Sequence, residues 1–417
     1  MRVAHVVHGH PALSDAAGGT ERYAAALATH RGDLVVVADD GAGVREVGDQ
    51  VVVIGAARPK ARRFEHTWQA GAFTEGLRSV LDARGIELVH AHHLATAGLD
   101  WLDAIGPRPL VVTLHDYHLA CVRGQLVDRD LKPCDGPEPA RCSACVREHL
   151  HARRWMHLAG RVAGRLGIRG KAREAVAKVP ARPGDARRLV ARATAAEALL
   201  RRADLVLSPS RHLAGRLVAT GLVDHVETID LPLVAPIRPA PEAPDGPVRF
   251  LFVGSLIPTK GPQVLLAAHD RARAGQVTFW GPKVPFDGQP GWADQLVERI
   301  SKVPDARWAG TFGDAERDRI YADADVLVVP SIWEENSPLV VREAQAAGLR
   351  VVASRVGGLP ELVEDGVLVP PGHPGALSHA LRAEGKRGRG RSRSIQRPMA
   401  AHAQALEALY GGLRRSR

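Results

Sequence analysis

The chain has 417 residues, of which 45% are hydrophobic, and it carries a formal net charge of +10. This length exceeds what one hydrophobic core usually organises, so the sequence predicts a globular protein of two domains. It has no run of about 18 apolar residues, which excludes a conventional membrane span, and MRVAHVVHGHP at its start lacks the features of a secretory signal, which predicts a cytoplasmic protein.

Short runs rich in valine and isoleucine alternate with helical patterns along the first half of the chain. This rhythm predicts a parallel β-sheet built from β-α-β units. After the first strand, Gly18 and Gly19 precede a helix that Thr20 could cap, and their exposed N–H groups could approach a phosphate. The predicted strands are residues 3–7, 33–37, 51–54, 87–91, 110–114 and 205–208.

Histidines cluster at the ends of two of these predicted strands. His115 follows the strand at 110–114, and a side chain at the carboxyl end of a strand in an α/β sheet faces the ligand cleft. A histidine satisfied in the core is the alternative for this position. His90, His92 and His93 stand at the end of the preceding strand, and crowded histidines of this kind can also mimic a zinc site.

All four cysteines fall in one stretch, with the arrangement C-x12-C-x7-C-x2-C. In a chain without a secretion signal, this clustering favours a structural zinc site over disulfide bonds, because four thiolates complete the tetrahedral coordination of zinc. Such a site would stabilise a loop beside the cleft and would take no part in catalysis. The predicted ligands are Cys121, Cys134, Cys142 and Cys145.

The positive charge of the chain is concentrated in one segment. Residues 146–203 contain fifteen lysines and arginines against four acidic residues, so the rest of the chain is close to neutral. A basic patch of this kind can bind anionic lipid headgroups, nucleic acid or an acidic substrate. The alternative is a solvated helical face without a partner.

A proline-rich stretch separates two series of predicted strands. Residues 232–247 contain six prolines, a composition that makes a semi-rigid connector and excludes a central strand. The second series begins at Arg249 and continues at 277–280, 325–329 and 350–353. The D-x-D at 323–325 is predicted to begin the third of these strands, a buried one, and not to bind metal. Near the end, residues 385–394 are predicted to form a disordered basic loop and residues 399–413 a helix.

The second half carries charged residues near two predicted helix starts. In the segment GSLIPTKG, Gly254 and Ser255 follow a strand, and Lys260 precedes a helix, where its amine would meet a phosphate. Later, a loop places Glu335 before a helix that begins near Pro338, and Glu343 follows within that helix. The N–H groups and the dipole of a helix start favour phosphate, and carboxylates accept hydrogen bonds from sugar hydroxyls. The alternative is an exposed helix with two unpaired acids.

The second of these segments resembles the E-x7-E signature of the retaining glycosyltransferases of family 4, in the variant in which W-x-E-N-x-P surrounds the first acid. A Gly-Gly pair follows at Gly357 and Gly358. The resemblance implies that Glu335 contacts the donor sugar and that Glu343 contacts the ribose of the nucleotide. The donor-binding residues predicted in this segment are Glu335, Asn336, Ser337, Pro338, Leu339, Val340 and Glu343.

Other segments resemble further elements of the same family. Gly18 and Gly19 match its G-G-x-E loop, and His115 matches the histidine of its H-D element, which implies a hydrogen bond to the donor sugar. The histidines at 90–93 match an H-x-H strand end, which implies that they shape the acceptor side. Gly254, Ser255 and Lys260 match a donor-binding G-R-L-x-x-x-K-G element, although Ser255 stands where arginine is often found. The cysteines resemble an insertion that some members carry after H-D-Y.

The resemblance implies the GT-B fold, an α/β architecture in which two Rossmann-like, doubly wound parallel-sheet domains face a cleft. The predicted acceptor-side domain covers residues 1–231, with a cysteine-rich insertion at 117–147 and a basic helical insertion at 146–203. The linker at 232–247 leads to a nucleotide-sugar-binding domain at 248–398. Residues 399–417 are predicted to form a helix that crosses back to the first domain.

Together these features predict a retaining hexosyltransferase that uses a UDP- or GDP-linked donor and a hydroxyl acceptor. Its predicted catalytic residues are His115, Lys260 and Glu335. Lys260, the amides of Gly18 and Gly19, and the helix start at Pro338 would stabilise the departing diphosphate without a catalytic metal or other cofactor.

The predicted acceptor is a glycan or a lipid-linked molecule of the cell envelope. The basic segment predicts peripheral contact with an anionic membrane at its inner face, and no nucleic acid partner is expected. One alternative is a GT-B nucleotide-sugar epimerase, which would release an altered sugar nucleotide. The other is a non-catalytic adaptor that binds membrane or nucleic acid through the basic segment.

Overall fold

The computed structural model describes residues 1–14, 17–57, 64–128, 130–146, 184–241, 245–286 and 291–415. Most of the predicted basic insertion, residues 147–183, lies outside these ranges. Within them, no helix combines the length and the apolar character that crossing a membrane requires.

The first sheet contains eight described strands in the order β3-β4-β2-β1-β5-β6-β7-β8. All of them pair in parallel except β3 with β4, and β1, β4, β5 and β6 are buried along their whole length, as expected of strands covered on both faces. The strands are β1 Val3–Val7, β2 Leu34–Asp39, β3 Val44–Val47, β4 Val51–Gly55, β5 Leu88–Ala91, β6 Leu110–Thr113, β7 Leu205–Ser208 and β8 Glu227–Thr228.

Helices cover this sheet where apolar residues recur at helical spacing. In the helix Phe73–Ala83, for example, Phe73, Leu77, Val80 and Leu81 form the buried face. The helices of this half are α1 Gly19–Arg31, α2 Phe73–Ala83, α3 Pro139–Cys145, α4 Asp185–Arg202 and α5 Arg211–Ala219.

The second sheet contains six described strands, all parallel, in the order β11-β10-β9-β12-β13-β14. These strands are β9 Val248–Val253, β10 Gly275–Trp280, β11 Ala306–Gly310, β12 Val326–Val329, β13 Arg350–Ser354 and β14 Gly366–Val369. The helices are α6 Pro262–Ala272, α7 Trp292–Ile300, α8 Arg317–Ala322, α9 Leu339–Ala347, α10 Leu359–Leu362 and α11 Pro374–Arg387. The predicted class, two α/β domains with parallel sheets, is confirmed.

Strand order reverses once in each sheet. The reversal lies between β1 and β5 in the first sheet and between β9 and β12 in the second. In open α/β sheets, ligands bind outside the carboxyl ends of the strands at such a reversal. The loops after β1, β5, β9 and β12 are therefore where a site is expected.

The last helix, α12 Met399–Arg415, packs on the first half of the chain. Its Leu406 and Tyr410 are fully buried in a cluster with Tyr23 and Leu27 of α1 and with Val3 of β1. The Tyr23 hydroxyl also lies 2.7 Å from Nε2 of His402.

The basic segment before α12 corrects one prediction. Residues 385–394 are not a disordered loop, because Arg389 lies 3.1 Å from the carboxylate of Asp325 and Arg391 donates to the carbonyl oxygens of Ala322 and Ala324. Asp325 is completely buried next to the start of β12, so its charge requires cationic partners. The predicted buried strand exists, but it begins one residue later than predicted, at Val326.

Candidate active site

Two loops meet at the reversal of the second sheet. Residues Pro258–Lys260 form a short 3-10 turn after β9, and residues 331–338 follow β12. Between the turn and α6, Gly261 adopts a left-handed conformation with φ +73°, and a Cβ there would lie 1.9 Å from the carbonyl oxygen of Pro330. Only glycine therefore lets the Lys260 turn pack against the end of β12.

Glu335 is the centre of a group of donors in these loops. Its Oε1 lies 2.7 Å from Nζ of Lys260, 2.8 Å from Oγ of Ser331 and 2.9 Å from Nε1 of Trp333. Its side chain is buried, and the Lys260 amine also lies over the ring of Trp333. No donor of the described residues reaches the other oxygen, Oε2. That oxygen is therefore left to accept a hydrogen bond from a ligand.

The Gly-Gly pair supports the loop that carries Glu335. Gly357 has φ +62°, and a Cβ at this position would lie 2.1 Å from the carbonyl oxygen of Glu335. The N–H of Gly358 donates to that same oxygen at 2.6 Å. A larger residue at either position would displace the loop and with it the carboxylate.

The start of α9 lies next to Glu335 and has no side-chain cap. Pro338 precedes the helix in an extended conformation, so the prediction that it lies in the first turn of the helix is wrong. Leu339 and Val340 are half-buried, and the buried hydroxyl of Ser337 has no hydrogen-bond partner among the described residues. An uncapped helix start has free N–H groups and a positive dipole, so it favours a phosphate.

Glu343 lies on α9, and its side chain is also buried. The Tyr321 hydroxyl donates to its Oε2 at 2.6 Å, and Nε of Arg317 lies 3.6 Å from its Oε1. Since Glu335 and Glu343 are only 3% and 9% exposed, the alternative of an exposed helix with two unpaired acids is wrong.

The loop at 331–338 also joins the two halves of the chain. The side-chain amide of Asn336 donates to the carbonyl oxygen of His115 at 2.9 Å, and the Ser210 hydroxyl donates to its Oδ1. Glu334 lies 2.9 Å from Nε of Arg216. Asn336 was predicted to bind the donor, but its side chain instead holds the end of β6 against the Glu335 loop.

The glycine loop of the first half lies over the start of α9. Helix α1 begins at Gly19 with Gly18 as its cap, so the prediction that Thr20 caps it is wrong. A Cβ on Gly19 would lie 3.4 Å from Leu339. The site is therefore formed between the two sheets.

The carboxylate of Glu21 occupies part of this glycine loop. It lies 2.8 Å from Nε2 of His8. Burial alone would raise the pKa of Glu21, but the contact with His8 and the N–H groups of Gly18 and Glu21 lower this pKa to about 2. The Gly18 amide is therefore shared with Glu21 before any phosphate binds. Glu21 is not among the residues predicted from sequence, although the fourth position of G-G-x-E was its signal.

His115 sits at the carboxyl end of β6 and is half-buried. Its Nε2 lies 3.1 Å from Nδ1 of His92. Burial lowers the pKa of His115 to about 3, so its ring is neutral near pH 7. His93 turns away from this contact and pairs with Asp116 at 3.0 Å.

Three buried histidines, His5, His90 and His92, have ring nitrogens within 4.8 Å of one another. The predicted crowding at 90–93 therefore involves His5 of β1 and not His93. Every ring nitrogen of the three already has a protein partner, namely Asp33, Thr113, Tyr410, His115 or another of the three. A hydrogen-bond network accounts for these contacts without a metal.

Two family models match the chain. Residues 247–383 match the model described as glycosyl transferases group 1, and residues 17–139 match the model described as glycosyltransferase family 4. The matches contain Lys260, Glu335 and Glu343 in the first case and Gly18 and His115 in the second, and together they cover more than half of the chain. The chain belongs to glycosyltransferase family 4.

Curated relatives of this family-4 chain match it over limited lengths. It is 37% identical to a D-inositol 3-phosphate glycosyltransferase of Corynebacterium glutamicum over 139 residues, 31% of this chain and 33% of the relative. A protein of the same name from Mycolicibacterium gilvum is 34% identical over 203 residues, 45% of this chain and 44% of the relative. The chain therefore matches about a third to under half of the length of these relatives.

Solved structures resemble the family-4 chain over its whole length. Sucrose-phosphate synthase from Thermosynechococcus elongatus has a TM-score of 0.68 at 20% identity and covers 100% of both chains. The Anabaena protein HepE in complex with UDP-glucose has a TM-score of 0.58 at 15% identity, covering 99% of this chain and 100% of that chain. At these identities the likeness shows the fold, which is GT-B as predicted.

The four cysteines of the family-4 chain are half-buried, and none forms a disulfide. The N–H of Glu138 donates to Sγ of Cys142 at 3.3 Å, and Arg123 approaches Sγ of Cys145 at 3.8 Å. Burial raises the pKa of the Cys142 thiol, and the proximity of the other three cysteines raises it further.

The cysteine-bearing segment contacts the site through one arginine. The carbonyl oxygen of Cys134 accepts a hydrogen bond from Nη2 of Arg216 at 2.8 Å. The same guanidinium binds Glu334, the neighbour of Glu335. The segment is therefore placed beside the cleft.

Buried histidines predict a pH-dependent stability of the family-4 chain. Burial lowers the pKa of His402 from 6.5 to about 4, so the unfolded chain binds more protons between these values. The contribution of His402 to the free energy of unfolding is therefore complete above pH 6.5 and is lost as the pH falls toward 4. We expect it to be about 2 kcal/mol smaller at pH 5 than at pH 7.

Urea unfolding of the wild type and of His402→Gln at both pH values measures this contribution. The glutamine still offers the Tyr23 hydroxyl an acceptor but does not titrate, so the loss of stability between pH 7 and pH 5 should be smaller in this variant. His225→Gln, at an exposed position, should keep the wild-type pH dependence. Equal pH dependence in all three proteins would contradict the prediction.

Proposed function

We propose that this family-4 protein is a retaining glycosyltransferase that moves a hexose from a UDP- or GDP-linked donor to a hydroxyl of an acceptor. The observation that carries the proposal is the carboxylate of Glu335. Lys260, Ser331 and Trp333 saturate its Oε1 and leave Oε2 to a ligand hydroxyl, beside an uncapped helix start suited to phosphate.

In the proposed reaction, the bond between C1 of the sugar and the diphosphate oxygen breaks, and the acceptor oxygen forms a bond to C1 on the same face. The acceptor proton passes to the departing diphosphate. Lys260 and the N–H groups at the start of α9 would stabilise the growing negative charge. Glu343 would accept hydrogen bonds from the ribose, held in place by Tyr321 and Arg317.

The names of similar proteins support a nucleotide-sugar donor and a polar acceptor. HepE was crystallised with UDP-glucose, starch synthase IV of Arabidopsis thaliana with ADP and acarbose, and the curated relatives are named for D-inositol 3-phosphate. For this chain we propose a glycan or lipid-linked acceptor of the cell envelope. The basic segment, with its excess of cations, supports a reaction at the inner face of an anionic membrane.

A panel of UDP- and GDP-linked sugars in a thermal unfolding assay tests donor binding. A donor present at 100 times its dissociation constant should stabilise the protein by about 2.7 kcal/mol. The matching donor should then be consumed only when an acceptor is present, and NMR of the product should show the anomeric configuration of the donor. An altered sugar nucleotide formed without acceptor would indicate the epimerase instead. No stabilisation by any nucleotide sugar would contradict the proposal.

We also propose that Cys121, Cys134, Cys142 and Cys145 hold a structural zinc ion. The residue types suit zinc, since four half-buried thiols lie in one short segment without a disulfide, and an N–H already donates to Cys142. A bound zinc would brace this segment against Arg216 and take no part in the reaction.

Metal analysis of protein purified under reducing conditions tests the zinc site. We expect one zinc per chain in the wild type, its loss in Cys142→Ser, and a lower unfolding temperature after treatment with a strong chelator. Zinc-free wild-type protein whose unfolding temperature does not respond to chelator would contradict the site.

A further inference from the structure

Four side chains form a continuous hydrogen-bonded chain that ends at the cleft. Oδ2 of Asp33 lies 3.2 Å from Nε2 of His5, and Nδ1 of His5 lies 2.9 Å from Nε2 of His92. Nδ1 of His92 lies 3.1 Å from Nε2 of His115. This chain, which we call the histidine relay, runs from Asp33 before β2, through His5 in β1, to His115 after β6.

The carboxylate at one end determines where every proton of the relay lies. Asp33 only accepts, so the neutral form of His5 carries its proton on Nε2 and leaves Nδ1 as an acceptor. A neutral His92 must then donate from Nε2 and accept at Nδ1, and His115 must donate from Nε2. The remaining nitrogen, Nδ1 of His115, then carries a lone pair that has no hydrogen-bond partner among the described residues.

Burial keeps His92 and His115 neutral and shields the relay from solvent. Burial is the largest cause that lowers the pKa of His92 and of His115, and Asp33, His5 and His92 are each at least 95% buried. Arg31 binds the same oxygen of Asp33 at 2.6 Å. On the other side, α12 covers His90, the neighbour of the relay, and the Tyr410 hydroxyl lies 2.6 Å from Nδ1 of His90.

We propose that Asp33, acting through His5 and His92, fixes His115 as the Nε2–H tautomer, so that its Nδ1 accepts a hydrogen bond from a sugar hydroxyl in the cleft. The sugar rests on the proposed function, whereas the tautomer rests on the relay alone. Asp33, His5 and His92 are positioning residues in this scheme. In the opposite tautomer, Nδ1 would carry a proton and could no longer accept.

Long-range nitrogen-15 to proton correlation spectra of histidine-labelled full-length protein read the tautomer directly. The signals of His115 are those that disappear in His115→Gln. We expect them to show a proton on Nε2 in the wild type and to show a population protonated on Nδ1 in Asp33→Ala. Asp33→Asn should keep the wild-type pattern, because Arg31 and His5 both donate to Oδ2 and only the amide oxygen fits there.

Two further variants complete the spectral test. Asp39→Ala removes a half-buried carboxylate from the far end of the adjoining strand, β2, and should leave the His115 signals unchanged. If Asp33→Ala does not fold, His5→Phe leaves His92 without its acceptor and should produce the same mixture. A proton on Nδ1 of His115 in the wild type, or an unchanged tautomer in folded Asp33→Ala or His5→Phe protein, would overturn the proposal.

Kinetics separate the relay from the proposed function. Asp33→Ala should lower kcat/KM for sugar transfer about tenfold, the loss of one hydrogen bond, and Asp33→Asn should restore most of it. When His115 is already replaced by glutamine, Asp33→Ala should cause no further loss of kcat/KM, because both substitutions act through one contact. Additive losses would overturn the relay as the route. If the spectra behave as expected and no sugar is transferred, the proposed function fails and the tautomer assignment stands.

Discussion

Replacing Glu335 by glutamine is expected to lower kcat/KM for sugar transfer by about 100-fold. Three donors converge on Oε1, so the amide oxygen of the glutamine will take that position. Its NH2 group will then stand where Oε2 was. The variant thus presents a donor to a sugar hydroxyl that needs an acceptor, and it also removes the charge that holds Lys260. Steady-state kinetics with donor and acceptor measure the effect.

A matched control separates this effect from the general loss of a lysine–glutamate pair. Glu298 binds Lys302 at 2.6 Å on the exposed surface of the same half of the chain, and Glu298→Gln should leave kcat/KM within about twofold. Both variants should fold, as judged by circular dichroism. Wild-type activity in a folded Glu335→Gln protein would remove the observation on which the proposed function depends.

The buried strands could be predicted from sequence because they are continuous apolar runs. VAHVV and VVVIG became β1 and β4 with their predicted starts. The strands β3, β8, β11 and β14 were missed for the opposite reason. β3 is an exposed edge with the sequence VREV, β8 has two residues, and β11 and β14 have few fully buried positions. Without a buried face, an edge strand has no apolar pattern to reveal it.

Parts of the candidate site could be predicted because they lie close together in sequence. The spacing of Glu335 and Glu343 and the glycines that follow are local patterns. By contrast, Asp33 and His115 are 82 residues apart and communicate through His5, a polar residue inside a strand that otherwise looks like core. Only the order of the strands, with β1 between β2 and β5, places these side chains in contact.

Arg389 and Arg391 show that a local pattern can also predict disorder where a contact distant in sequence gives order. Their composition, GRGRS, is typical of disordered segments. What orders them is the buried carboxylate of Asp325, 64 residues away for Arg389, which no local pattern can report.

Replacing Lys260 by methionine is expected to lower kcat/KM by at least about 100-fold, mainly through kcat. Methionine keeps most of the length of the side chain over the Trp333 ring but loses the cation. Since Ser255 stands where a second cation is often found, Lys260 is the one basic side chain of this predicted diphosphate-binding element. Its charge matters most when negative charge grows on the departing diphosphate, and this is why the loss should appear in kcat. The measurement is steady-state kinetics, with single-turnover rates to isolate the chemical step.

Lys283 offers a control with the same two kinds of contact in a more exposed place. Its Nζ lies 5.3 Å from the ring centre of Trp308 and 2.8 Å from Asp294, as Lys260 lies 5.4 Å from the ring centre of Trp333 and 2.7 Å from Glu335. Lys283→Met should therefore remove a cation–ring contact and an ion pair of similar lengths without changing kcat. Because Lys283 pairs with Asp294 and not with Glu335, equal loss of kcat in both variants would show that the charge acts through the stability or the overall field of the domain. Loss confined to Lys260→Met places the cation at the diphosphate.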